Sequence, residues 1–135
     1  MGRILAIDYG VKRTGIAVTD ELRLIASGLT TVNTETLIPF LKNYTEKEKV
    51  ELLLVGEPKQ MNNTPSESEK FIAVFLQKLS KELPGLSIQR VDERFTSKMA
   101  VQSMVASGIK KGRRKNKALI DEISATLILQ SFLNK

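Results

Sequence analysis

Apolar residues follow two rhythms along this chain. Ile4, Leu5, Ala6 and Ile7 run without a polar break and stop at Asp8; Leu52 to Val55 do the same before Gly56, Glu57 and Pro58. Unbroken runs of this length predict strands covered on both faces, over Arg3–Asp8 and Glu51–Pro58. Thr14–Thr19 and Ala26–Val32 are predicted to complete an antiparallel meander with the first strand, with Gly10 and Gly15 bracketing its first turn. "LSIQRVD", ending at Asp92, is the last predicted strand.

Helical spacing takes over elsewhere. Leu37, Phe40, Leu41 and Tyr44 predict a helix over Thr36–Tyr44, which tolerates Pro39 only in its first turn. Ser66 with Glu69 matches a capping box, and Phe71, Ile72, Phe75, Leu76, Leu79 and Leu83 give the following helix a broad apolar face that ends before Pro84 and Gly85. "TSKMAVQSMVASG" reads as a short helix, "IKKGRRKNK" as a basic loop, and Ala118–Leu133 as a C-terminal helix. The polar, turn-rich "KQMNNTP" reads as a mobile loop. The order is βββαβαβαα: an α/β fold built on a mixed five-stranded sheet with helices on both faces. At 135 residues the chain suits one domain spanning 1–135.

Composition narrows the chemistry. Without His or Cys, the usual general base, thiolate nucleophiles, disulfides and cysteine-type zinc sites are excluded. No apolar run approaches a membrane span, and nothing resembles a signal peptide, so a reduced cytoplasm is expected. The net charge of +6 is unevenly placed. Eight Lys and Arg fall between Arg94 and Ile120 without a single acid, and the rest of the chain is slightly acidic. Such a block fits a solvated loop or a polyanionic partner.

The acids gather where ligands sit in such sheets, beyond the carboxyl ends of strands. Asp8, Glu57, Asp92 and Glu93 all occupy strand ends. In the C-terminal helix Asp121 shares a stripe with Ala118, Ala125, Ile128 and Phe132, and Glu122 shares one with Ala118, Ala125 and Leu129. Periodicity does not choose between them, and a salt bridge to Lys115 or Lys117 is an ordinary role for either. Carboxylates from different elements repel unless protons or cations intervene. Mg²⁺, or Mn²⁺, suits such oxygen ligands. Two ions about 3.5–4 Å apart would support in-line displacement at phosphorus without any histidine, and the basic segment would hold a phosphodiester backbone.

"ILAIDYGVKRTGIAVTD", "VDERFTS" and "KKGRRKNKALIDEISATLILQSFL" together resemble the YqgF family, described as Holliday-junction-resolvase-like proteins and pre-16S rRNA nucleases, over essentially the full length. The resemblance implies a ribonuclease-H-like fold and a divalent-metal nuclease maturing the small-subunit rRNA precursor in the cytoplasm. By motif position it implies catalytic, metal-holding Asp8, Glu93 and Asp121. Lys12, Arg13, Arg94, Lys110, Lys111, Arg113, Arg114 and Lys115 are the expected nucleic-acid contacts. "VGEP" departs from the family's more usual apolar G-L-P, which makes Glu57 neutral or an additional metal-facing acid. Branched DNA is an alternative substrate; its resolution requires a dimer with two active sites, whereas RNA cleavage suits a monomer or homodimer. A catalytically silent RNA-binding assembly module is a second alternative. An actin-like ATPase is a third, disfavoured because that class needs two domains.

Overall fold

The computed structural model describes residues 2–57, 69–92 and 117–133. Strands β1 (Arg3–Asp8), β2 (Arg13–Thr19) and β3 (Ala26–Asn33) form the meander. A 3-10 turn, Thr34–Thr36, leads into helix α1 (Leu37–Lys47), followed by β4 (Val50–Glu57), α2 (Glu69–Glu82), β5 (Ser87–Asp92) and α3 (Lys117–Leu133). Pro39 falls in the first turn of α1, where its missing N–H has no helical partner to lose. Ser66 of the expected capping box, the expected loop "KQMNNTP", the expected short helix and the basic loop up to Asn116 lie outside the described residues, as do Glu93, Arg94, Lys110, Lys111, Arg113, Arg114 and Lys115, whereas Lys117, expected in that loop, opens α3. No described helix is long and apolar enough to cross a membrane.

The sheet order is β3-β2-β1-β4-β5. β1 is central, antiparallel to β2 and parallel to β4, as its unbroken apolar run requires. Its residues divide by alternation between two cores. Leu5 and Ile7 join Ile16, Leu53, Val55, Leu37, Leu41, Ile72, Phe75 and Leu79 beneath α1 and α2. Ile4 and Ala6 join Ala17, Leu54, Val91, Ala125, Ile128 and Leu129 beneath α3. Each large aliphatic side chain so buried contributes roughly 1.5–3 kcal/mol, so β1 is anchored from both sides and Asp8 at its end has little freedom to move.

The β2–β3 connection is tightly built. Asp20 Oδ1 accepts the N–H groups of Leu24 and Ile25 at 2.8 Å each, and the N–H of Arg23, at a φ of 60°, donates to the Asp20 carbonyl. These backbone donors, Ile25 foremost, hold the Asp20 carboxyl below its usual pKa.

Candidate active site

Strand alternation decides which side chains share a face. On β1, Asp8 follows Ile4 and Ala6 onto the α3 face; on β2, Arg13 and Gly15 follow Ala17 onto the same face. Asp8 and Gly15 are direct partners in the antiparallel register. Above Gly15 lies the second turn of α3: a Cβ built on Gly15 would run into the backbone carbonyl of Asp121. The helix backbone therefore sits on the strand beside Asp8, and only a glycine leaves room for it. This corrects the expected role of Gly15, which lies inside β2 rather than bracketing the turn. Gly10 does belong to the turn, where a Cβ would strike the Arg13 carbonyl oxygen.

The same packing separates Asp121 from Glu122. The Glu122 carboxyl lies over Gly28 of β3, which pairs with Ala17, deeper along the sheet. Asp121 instead stands over the Asp8–Gly15 pair and faces Arg13, whose Nε is 3.5 Å from Asp121 Oδ2. The Arg13 Nε is buried and makes no hydrogen bond among the described residues, so its charge is directed at that carboxylate. With side chains 36% and 26% exposed, such a pair is worth at most about 1 kcal/mol. Its effect is to orient Asp121 and balance negative charge on this face. Arg13 is thus a salt-bridge partner of Asp121 that helical spacing does not suggest, since it comes from a strand far away in sequence; Lys12 is exposed at the tip of the turn.

Glu57 and Asp92 are register partners at the ends of β4 and β5. Alternation puts them on the opposite face, with Val55 and with Ile88 and Arg90, which speaks against Glu57 as an additional ligand beside Asp8. Arg90 is a structural residue that the sequence patterns above did not pick out. Its guanidinium pairs with both Glu69 oxygens, at 2.6 and 3.0 Å, and donates to the carbonyls of Val55 and Gly56. It thereby ties the end of β4 to the first turn of α2. A charged residue on an alternating, core-facing strand position was the available signal. Tyr9, next after Asp8, packs its ring 5.2 Å from that of Phe75, and burial raises its phenol pKa.

Among the described residues no three metal-ligating side chains form a cluster. Asp8 and Asp121 come together on one face, and Glu93 follows Asp92 in sequence outside the described residues. The available donors are hard oxygens with neither thiolate nor imidazole beside them, a set that fits Mg²⁺ or Mn²⁺ and not a softer transition metal.

Comparisons with known proteins agree with this architecture. A protein of Christiangramia forsetii is 64% identical over 133 residues, covering 98% of each chain, and one of Flavobacterium psychrophilum is 62% identical over 135 residues, covering 100% of this chain and 98% of its own. Both bear the provisional name pre-16S rRNA nuclease. Among solved structures, Thermus thermophilus RuvC in complex with a Holliday junction substrate superposes with a TM-score of 0.57 at 16% identity, covering 98% of this chain and 94% of that one. That likeness establishes the ribonuclease-H-like fold expected from the sequence. A family profile described as RuvX, Holliday junction resolvase, matches residues 2–135, and with these relatives it follows that the chain belongs to that family.

Proposed function

We propose that this chain is a divalent-metal-dependent nuclease that hydrolyses phosphodiester bonds, with the 16S rRNA precursor as its substrate. The observation that carries the reading is the meeting of Asp8 and Asp121 across Gly15, two acids from elements far apart in sequence brought to one face of the central strand. Two carboxylates from separate elements on one face offer the hard oxygen ligands that a divalent ion takes, and Arg13 pairs with Asp121 beside them. Asp8, Asp121 and Glu93 would hold the metal. When bound, a divalent ion lowers the pKa of a water nucleophile and stabilises the leaving oxygen.

The chain's own groups do the rest. Asp8 has its backbone anchored by two cores, so its carboxylate is presented in one place. Lys12, exposed beside Arg13, meets the substrate phosphate, and the basic residues Arg94, Lys110, Lys111, Arg113, Arg114 and Lys115 hold the backbone without reading sequence. The rRNA substrate rests on the relatives' name, since phosphate contacts and carboxylates serve RNA and DNA alike.

The test is cleavage of a labelled rRNA precursor fragment and of a four-way DNA junction, each with Mg²⁺ or Mn²⁺, by the wild type and Asp8→Asn. Cleavage of the RNA that disappears in Asp8→Asn, with unfolding behaviour preserved, is the expected result. Cleavage of the junction alone would replace the substrate, and wild-type activity in Asp8→Asn would remove Asp8 from the mechanism. Binding without cleavage by the wild type would point to the silent assembly module.

A further inference from the structure

Thr34 stands at the junction of β3 and the 3-10 turn, on the opposite side of the sheet from Asp121, and makes two bonds to the β1–β2 turn and a third to the strand that follows it. Its backbone N–H donates to the Lys12 carbonyl at 2.9 Å. Its Oγ1 lies 2.5 Å from the Gly10 carbonyl oxygen and 3.0 Å from Thr14 Oγ1. A carbonyl can only accept, so the Thr34 hydroxyl directs its proton to Gly10 and must accept from Thr14. Thr14 is fully buried, so its hydroxyl needs that partner. One side chain thus closes a chain of donors running from the first buried residue of β2 back to the start of the turn.

The segment so held, Gly10 to Arg13, is the one that presents Lys12 to solvent and Arg13 to Asp121. Both arms of the turn, at Gly10 and at Lys12, are gripped by Thr34 from below, while Arg13 is paired above. We propose that Thr34 is a positioning residue that sets the Gly10–Arg13 turn so that Lys12 meets the phosphates of the nucleic-acid strand while Arg13 stays on Asp121. This rests on the nuclease reading, and it assigns Thr34 a role through the turn rather than contact with substrate.

Thr34→Val keeps the shape and removes both side-chain bonds; Thr34→Ser keeps both. The probe is a fluorescently labelled single-stranded RNA oligonucleotide, titrated at several salt concentrations below the unfolding temperature of every variant. Thr34→Val is expected to bind more weakly with a shallower salt dependence, by about 0.7 in the logarithmic slope for each phosphate that the displaced turn no longer reaches. Thr34→Ser is expected to restore the slope. Amide exchange at Val11 to Arg13 is expected to quicken in Thr34→Val alone, a readout that needs no ligand. If Thr34→Val loses thermal stability yet keeps the wild-type slope, Thr34 is only a structural staple and the proposal falls while the nuclease reading stands. If the wild type itself shows no salt-dependent binding, the nucleic-acid reading fails and takes the Thr34 role with it.

Discussion

A methyl group at Gly15 would land on the Asp121 carbonyl, an atom that cannot yield without moving the backbone of α3. At Gly28 the obstacle is the end of the flexible Glu122 side chain, which can rotate away. Gly15→Ala is therefore expected to cost about 1–3 kcal/mol in urea unfolding, and Gly28→Ala distinctly less. Gly15→Ala should also lower metal-dependent cleavage, because it displaces Asp121 from Asp8. Equal unfolding costs for the two variants would mean that the helix is free to shift, and would weaken the claim that this packing sets the site. At this scale the sequence shows Asp8 at the end of a buried strand, as it shows Glu57 and Asp92, and only the family resemblance singles out Asp8 among them. Periodicity does not separate Asp121 from Glu122, which only the resemblance does in the sequence: both sit on stripes with Ala118 and Ala125, and only the strand beneath each of them differs.

Elements were mostly legible because burial imposes periodicity. The predicted strand over Thr14–Thr19 begins one residue earlier, at Arg13, and the helix expected over Thr36–Tyr44 runs on to Lys47 after its 3-10 entry. Polar residues at element ends carry little periodic signal, which is why the ends moved and the centres held. Links between elements were harder to see. Arg90 joins β5, the last two carbonyls before the end of β4 and the start of α2 through a half-buried fork. Arg90→Leu is expected to destabilise by about 1–3 kcal/mol, since it strands the Glu69 carboxylate and two carbonyls. Arg90→Lys, which keeps the charge but loses the planar fork, should recover only part of that. Full recovery by Lys in denaturant unfolding would show that charge alone matters there.

Across the molecule, charge is segregated: the basic stretch from Arg94 to Ile120 carries the positive excess, and the described sheet end carries the paired acids. A surface that binds phosphodiesters through Lys and Arg releases counterions, so its affinity falls steeply with salt. Charge reversal of Arg113 and Arg114 to Glu should weaken RNA binding and flatten its dependence on salt while leaving metal-free stability near that of the wild type. An unchanged slope would place the binding surface elsewhere on the chain.

The sequence alone determined the class of fold, the central place of β1, the absence of thiol and imidazole chemistry, and the family, because these follow from periodicity, composition and motifs that are local in the chain. Tertiary structure decided what depends on faces and depth: that register and alternation set Glu57 and Asp92 on the sheet face opposite Asp8, that Gly15 admits a helix rather than bends a turn, and that Arg13 reaches Asp121 from a distant strand. Which residues share one face of a sheet is set by register between strands and by the seating of a helix on them. Those are long-range relations, and no short stretch of sequence encodes them by itself.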